Sequence, residues 1–343
     1  MATSSSSRAP RKIDEDIAAK KLKRSGRKLS YSGHETFPVR HGWLKKVFDA
    51  VKHEGADAEA AARIFKSEEA IGRFGVGKNM VASMQHWAIA SKVVSTPRAD
   101  TLKIEPLGNI LFDDQAGFDP FLDYPASLWL LHWRIATNLS FCTTWYFAFN
   151  VFGRTTFDKE QLETGIIEFA RERQDASLKL PSAQTVQRDI DCFIGTYAKK
   201  TGKRGEFLED SIECPLIELG LILPASERGT YTFDIGPKPT LDAAIFYFAL
   251  VEFIDGLDEK TANLEQLTHR EGSPGRVFKL SENDVAQYLA GIEDSSSGRI
   301  SWQDSAGIRQ IQIRGENLNP YDFLEDAYGP SNRMPASKPR GAK

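Results

Sequence analysis

The strongest constraint on the fold is a glycine-rich bend between two segments of helical periodicity. Residues 71–80 read IGRFGVGKNM and place Gly72, Gly75 and Gly77 before Lys78. Glycine adopts positive φ without steric cost, which suits a tight turn between helices. The bend therefore predicts two helices joined by a short turn in this part of the chain.

The same bend comes within one residue of the phosphate-loop pattern G-x-x-x-x-G-K-[ST]. Asn79 stands where a Ser or Thr would hold magnesium, and the preceding KSEEAIGRF is charged and helical in character. A phosphate loop instead follows a buried strand. We therefore expect no nucleotide cofactor. Lys78 and the first N–H groups of the next helix are expected to meet a phosphate of a nucleic-acid backbone.

The segments around the bend predict a winged helix-turn-helix over residues 31–115. Apolar residues at helical spacing predict a helix over 41–53, two short helices before the bend, and a helix over 79–92 in the recognition position. TLKIEPLGNILF reads as two short strands with a turn at 106–109. The residues expected to contact DNA here are Arg40, Lys78, Asn79 and Gln85.

A second unit of the same kind is predicted over residues 154–240. Two amphipathic segments and a short helix precede a hairpin at 226–230. Gln184, Gln187 and Arg188 lie on the outer face of the second helix and are residue types that contact phosphates and base edges. The alternative is that they only solvate the helix surface.

The predicted fold class is mainly α with small β-hairpins, built from tandem winged-helix-like modules plus a helical C-terminal part. An apolar helical linker covers 116–153, the C-terminal helical part covers 241–328, and 329–343 is expected to be a disordered tail.

Composition favours a cytoplasmic protein. No apolar run approaches the roughly 20 residues needed to span a bilayer, and the N-terminus has no apolar signal region. The three cysteines form no C-x-x-C pair, which predicts reduced, mostly buried thiols and no zinc or disulfide framework. Membrane partners are therefore not expected.

The net charge is unevenly distributed. Residues 1–30 hold nine Lys and Arg against three acids, a net +6, which leaves −9 on the rest of a chain whose total is −3. This disordered basic arm either tracks a phosphate backbone or is simply a solvated tail.

Five blocks of sequence, in the same order, resemble a bacterial family known as domain-of-unknown-function family 4007. They are GHETFPVRHGWLKK, GVGKNMV, GFDPFLDYPASLWLLHW, ECPLIELGLI and SPGRVFKL, and the likeness runs from about Ser32 to Ile311. The resemblance implies DNA as a partner, in an anti-phage system that places sulfur in the DNA backbone as a phosphorothioate. It implies a DNA-nicking component that works with a cysteine desulfurase, an ATPase and a sulfur transferase.

The resemblance also carries motif positions onto this chain. They are His34, Glu35, Thr36, Arg40, Gly75, Gly77, Lys78, Asn79, Asp119, Asp123, His132 and Trp133. Tyr124 and Ser127 stand where the family pattern leads us to expect a second acidic residue and a Thr. A metal site that needs an acid at position 124 is therefore in doubt.

Two groups of side chains are candidates for nicking chemistry, although no established nuclease signature is present. The first is His34 and Glu35, as catalytic residues; the alternative is a capping or buried hydrogen-bond pair. The second is an acidic cluster with catalytic Asp119 and Asp123, in which Asp114, Asp119 and Asp123 would hold magnesium or manganese. The alternative for that cluster is a solvated loop with Asp as a turn former. His132, in an apolar helix, is expected to be a satisfied core histidine.

Two functions follow from these patterns. The chain is either a metal-dependent DNA nickase or a non-catalytic DNA-binding adaptor that recruits the sulfur-transfer proteins.

Overall fold

Over the residues that it describes, the structure, a computed structural model, is mainly α-helical with three small antiparallel sheets. It describes residues 29–55, 57–66, 68–174, 178–199, 214–257, 259–305, 307–314 and 318–329. The predicted basic arm and C-terminal tail lie almost entirely outside these ranges. Among the described residues, no helix combines the length and apolarity required to cross a bilayer.

The N-terminal part has the predicted order of helix, helix, glycine turn, helix and ribbon. Its elements are α1 (Trp43–His53), α2 (Ala58–Arg63), α3 (Ala70–Phe74), α4 (Lys78–Ala90), β1 (Val94–Ser95) and β2 (Lys103–Ile104). The apolar stripe of α1 is buried as its spacing predicts. β1 and β2 pair antiparallel, with Val94 opposite Ile104.

The ribbon of this part differs from the prediction, because its first strand, β1, lies before the run 101–112 that was expected to form both strands. The run 106–112, expected to hold a turn and a second strand, is helix α5 (Pro106–Phe112). Proline at the first helical position has its φ preset and loses no hydrogen bond there. Leu107 and Leu111, four residues apart, are both fully buried, so the apolar period of this run is helical.

The middle of the chain contains an apolar helical region and then a helix pair with a small sheet. Its elements are α6 (Pro125–Ala136), α7 (Thr143–Tyr146) continuing as a π-helix (Phe147–Val151), β3 (Thr156–Phe157), α8 (Lys159–Arg173), α9 (Ala183–Tyr197), a 3-10 helix (Pro215–Leu219), β4 (Ile222–Pro224) and β5 (Tyr231–Phe233). Ser182 caps α9 by accepting the N–H of Thr185. The predicted hairpin is confirmed as β4–β5, and β3 adds to it in the order β3-β5-β4.

The C-terminal part is helical, as predicted, but it also carries a sheet. Its elements are α10 (Ala243–Asp255), β6 (Thr261–Asn263), α11 (Leu264–His269), α12 (Pro274–Phe278), α13 (Glu282–Leu289), α14 (Ile292–Ser295), β7 (Ile300–Ser305), β8 (Ile308–Ile313) and a 3-10 helix (Pro320–Tyr328). The strand order is β6-β8-β7, and both pairs are antiparallel.

The hydrophobic core crosses every predicted domain border. Buried apolar residues from Leu29 to Ala327 belong to one cluster. The aromatic helix α6 lies within it, and Trp129 and Trp133 are both buried, so the prediction that this helix is core is confirmed. The borders drawn from the sequence remain predictions.

Candidate functional site

A buried histidine–aspartate pair joins two distant parts of the chain. His34 Nε2 lies 2.5 Å from Asp189 Oδ1, across 155 residues of sequence. Both side chains are nearly inaccessible to solvent. Asp189 belongs to α9, whereas His34 belongs to residues 29–41, the segment before α1 that we call the junction segment. The hydrogen bond between His34 and Asp189 therefore connects the segment before α1 to α9.

The junction segment is held by two further helices. The Ser30 N–H donates to Thr143 Oγ1 of α7 at 2.9 Å. The indole N–H of Trp87 in α4 donates to the Phe37 carbonyl at 2.9 Å. Three helices that are separate in sequence thus meet along this segment.

Hydrogen bonding specifies the tautomer of His34. Its Nδ1 accepts the backbone N–H of Thr36 at 3.1 Å, so that atom carries no proton. The proton is therefore on Nε2 and is donated to Asp189. Because both ring nitrogens are engaged, His34 in this state cannot take a proton from a substrate. His34 thus forms a buried hydrogen-bond pair with Asp189 rather than with the adjacent Glu35, and its catalytic role stays a prediction.

Unsatisfied polar atoms surround the pair. The Tyr31 hydroxyl, His86 Nε2, Trp145 Nε1 and Asp189 Oδ2 are buried and have no hydrogen-bond partner among the described residues. Burial, and then the nearby His34, lowers the pKa of His86 to about 3. Burial, and then the charge of Asp189, raises the pKa of Tyr31. His86 and Tyr31 are therefore both neutral at physiological pH.

An exposed and strained turn follows the buried histidine. Glu35 and Thr36 have φ values of 48° and 67°, the left-handed region that non-glycine residues rarely occupy. Such strain costs of order 1–3 kcal/mol per residue and clusters at functional sites. Arg188, next to Asp189 in sequence, is exposed as well. Two exposed charged residues, Glu35 and Arg188, are therefore the sequence neighbours of His34 and Asp189.

The glycine bend has the geometry of a helix–helix turn. Gly72 lies inside α3 rather than after a strand, and Gly75 ends that helix with φ 68°. Gly77 is extended and precedes the first residue of α4. Lys78 and Asn79 are exposed in the first turn of α4, while Gln85 is half-buried. Most of the rest of α4 is buried, so its polar surface is concentrated at its N-terminal end.

The other residues predicted to contact DNA differ in their exposure and in the side chains that they already contact. The Arg40 guanidinium lies over the rings of Phe37 and Trp43, 5.8 and 5.6 Å from their centroids, and its side chain is half-buried. Gln184 and Gln187 are exposed on α9, as expected for its outer face. The Gln187 amide nitrogen donates to Glu163 at 2.9 Å.

The acidic cluster is divided between two environments. Asp113 accepts from Lys52 at 2.6 Å and Asp114 from Lys45 at 2.7 Å, both on the surface of α1. Within the described ranges, no three His, Cys, Asp or Glu residues are grouped so that they could hold a metal ion. The predicted ligand set Asp114, Asp119 and Asp123 is therefore not assembled as a preformed site.

Asp119 instead organises its own loop. Its carboxylate accepts from the backbone N–H groups of Asp123 at 2.7 Å and Tyr124 at 3.0 Å. It also accepts from the Ser127 hydroxyl at 2.6 Å. Burial raises the pKa of Asp119, and these bonds oppose the rise. Ser127 thus supplies a hydroxyl at the position where the resemblance leads us to expect a Thr.

The remaining sequence-derived expectations concern the core. His132 Nδ1 lies 2.8 Å from the Tyr197 hydroxyl, and its Nε2 lies 3.0 Å from the Val277 carbonyl. It is the satisfied core histidine that the sequence predicts. Cys142, Cys192 and Cys214 are free and buried, as predicted.

Sequence comparison identifies the family. The family described as "Protein of unknown function (DUF4007)" matches residues 31–328. The chain belongs to the DUF4007 family. No curated protein sequence matches this DUF4007 member significantly.

Two solved structures resemble this DUF4007 member over most of its length. Both are crystal structures of a protein named SspB, and one is described as magnesium ion-bound. The sequence identities are 27% and 28%, and the TM-score is 0.73 for each. Each match covers 87% of this chain and 88% of the other.

Sequence reasoning missed Asp189 as a site residue. A signal was present, because Asp189 lies in the apolar stripe of α9 with Val186, Ile190 and Phe193. A charged residue in a buried stripe requires a partner. The identity of that partner depends on the packing of residues 29–41 against α9.

Proposed function

We propose that this chain acts on DNA in a phosphorothioation system and that it nicks the DNA backbone. The observation that carries the proposal is the likeness to SspB structures over 87% of the chain, combined with the family match over 31–328. The other proteins of such a system, a cysteine desulfurase, an ATPase and a sulfur transferase, are the proposed partners.

Most of the proposed DNA contacts are exposed polar residues in the N-terminal halves of α4 and α9. Lys78 and Arg188 are exposed, and neither has an ion-pair or hydrogen-bond partner within the described parts of the chain. Cations of this kind neutralise phosphates, whereas Asn79, Gln85 and Gln184 suit base edges or sugar–phosphate oxygens. In this proposal α4 is a recognition helix, and β1–β2 and β4–β5 are wings.

The proposed chemistry centres on the turn after His34. Cutting a phosphodiester requires neutralisation of the phosphate and activation of the attacking water. The Arg188 guanidinium would supply the first, and the exposed carboxylate of Glu35 would accept the proton of the water. His34 is a positioning residue, because its bond to Asp189 anchors the base of the turn.

Divalent metal, magnesium or manganese, is the proposed cofactor. Magnesium is commonly held by only one or two protein carboxylates together with waters and substrate phosphates. Glu35 is exposed and would supply one such carboxylate. Asp119 does not fit, because both of its carboxylate oxygens accept hydrogen bonds from its own loop.

A plasmid relaxation assay tests the proposal. Supercoiled plasmid is incubated with the full chain and with Mg²⁺, Mn²⁺ or chelator, and nicked circles are counted. Glu35→Gln should lower the rate about 100-fold or more, because it removes a proton acceptor. Glu218→Gln, an exposed carboxylate on the 3-10 helix, is the matched control and should leave the rate unchanged. Intact plasmid under every metal, with the partner proteins present, would exclude nicking.

The second candidate is the non-catalytic DNA-binding adaptor. It is favoured by the engaged nitrogens of His34 and by the division of the acidic cluster. An adaptor would bind DNA in a salt-sensitive manner without cleavage. Phosphorothioate in cellular DNA would then be unchanged by Glu35→Gln but lost with Lys78→Gln plus Arg188→Gln.

A further inference from the structure

The loop around Phe121 displays an aromatic side chain to solvent. Phe121 is 73% exposed, which is the largest value among the exposed large apolar residues of the described chain. Phe118, on the same loop, is 37% exposed. A single exposed apolar residue is ordinary, so the surroundings of Phe121 decide whether it has a function.

Those surroundings hold the loop in one conformation. The buried carboxylate of Asp119 accepts three hydrogen bonds across the loop. Leu122 is buried, and its φ of 59° lies in the left-handed region. A leucine rarely adopts this conformation, and here it turns its neighbour Phe121 outward while its own side chain packs inside.

The C-terminal 3-10 helix supports the loop from the other side. The Tyr328 ring stacks on Phe118, with centroids 4.8 Å apart and planes inclined by 14°. The same tyrosine packs edge-on against Tyr124 at 5.4 Å. Phe121 is thus displayed from a rigid base, and a rigid aromatic loses little conformational entropy on binding.

The segments around Phe121 are acidic, although Asp113, Asp114 and Asp322 pair with Lys52, Lys45 and Arg299. Residues 113–127 and 318–329 together contain seven Asp and Glu and no Lys, Arg or His. Asp123, Glu325 and Asp326 are exposed. A DNA phosphate would be repelled by these carboxylates, whereas an apolar pocket bordered by Lys and Arg would be complementary to them.

We propose that Phe121 is the anchor of a protein-docking site. Its occupant is a protein of the same phosphorothioation system that presents an apolar pocket with a basic border. Aromatic residues that enter such pockets carry much of the binding energy of an interface. This inference rests on the assignment to a phosphorothioation system but not on nicking, because an adaptor would need the same site.

Binding of the full chain to the purified cysteine desulfurase, ATPase and sulfur transferase of the system provides the test. Phe121→Ser should weaken binding to one of them by about 30-fold or more, the effect of losing a hot-spot residue. Ile235→Ser removes an apolar side chain that is 53% exposed elsewhere, and it should have no effect. Glu325→Lys should also weaken binding and reduce its dependence on salt.

Three outcomes would overturn the proposal. The first is that none of the three proteins binds, or that Phe121→Ser binds as the wild type does. The second is that Phe121→Ser weakens DNA binding instead, which would make the loop a DNA wedge. The third is that it abolishes a self-association seen by sedimentation, which would make the occupant a second copy. Relaxation of plasmid by the full chain and metal, without the partner proteins, should be unaffected by Phe121→Ser. The docking proposal and the nicking proposal can therefore fail separately.

Discussion

His34 donates a hydrogen bond to Asp189 inside the protein, where neither side chain reaches solvent. The bond connects the segment before the first helix to a helix that begins some 150 residues later. Since the histidine is oriented from both sides, by Asp189 and by the Thr36 N–H, the strained turn that follows it has a defined position.

Loss of the Asp189 carboxylate should destabilise the protein. Asp189→Ala leaves the His34 N–H without an acceptor, and breaking a buried pair of this kind costs about 3 kcal/mol. Asp189→Asn keeps an acceptor oxygen and should cost about half as much. The free energy of unfolding is measured with urea at pH 7.

The control is on the same helix. Asp191 pairs with Lys159 on the surface, and exposed pairs contribute about 0–1 kcal/mol. Asp191→Ala should therefore be nearly neutral. Equal stability of Asp189→Ala and Asp191→Ala would show that the buried pair does not anchor the junction segment.

Mild acid should destabilise the protein through two buried histidines. Burial lowers the pKa of both His86 and His132 to about 3, whereas an unfolded histidine titrates near 6.5. Between those values only the unfolded state binds the protons, so stability is complete above pH 6.5 and falls as the pH drops. Each histidine contributes a slope of up to about 1.4 kcal/mol per pH unit.

Urea unfolding from pH 7.5 to 5.0 measures this slope, because few carboxylates titrate in that window. His132→Phe, which removes one titrating group from the core, should make the dependence less steep. An unchanged slope in that variant would contradict the assignment.

DNA affinity should depend on two cations separated in sequence. Lys78→Gln and Arg188→Gln should each weaken binding, and each should reduce the slope of log affinity against log salt by about 0.9, the value for one phosphate contact. Fluorescence anisotropy with a duplex at several salt concentrations measures both quantities. Lys260→Gln, an exposed lysine after α10, is the control. Identical slopes for all four proteins would exclude the two residues from the interface.

The three cysteines should be unreactive in the folded protein. All are buried, and burial raises the pKa of each thiol, that of Cys214 to about 12. The thiolate is the reactive form. Iodoacetamide at pH 7.5 should therefore label none of them until denaturant is added, as judged by intact mass. Rapid labelling of the native protein would instead indicate an accessible thiol, as a sulfur carrier requires.

Local features of the sequence were sufficient to predict most helices and the glycine bend. The apolar period of α1, the Ser182 cap of α9 and the positive φ of Gly75 each depend on residues within a few positions of one another. Short-range sterics and capping bonds govern such features. The error at α5 arose where strand and helix patterns overlap in a short apolar run.

The pairing of distant side chains was decided only by the tertiary structure. The sequence predicts a metal site of Asp114, Asp119 and Asp123, but in the structure Asp119 accepts from Ser127 next to its own loop and Asp114 accepts from Lys45 on the surface. The sequence indicates His34 as a candidate catalytic residue, whereas its partner Asp189 is determined by the packing of α4, α7 and α9 around the junction segment. Periodicity indicates which face of a helix is buried. Which residue of another element packs against that face is determined by the packing of the whole core.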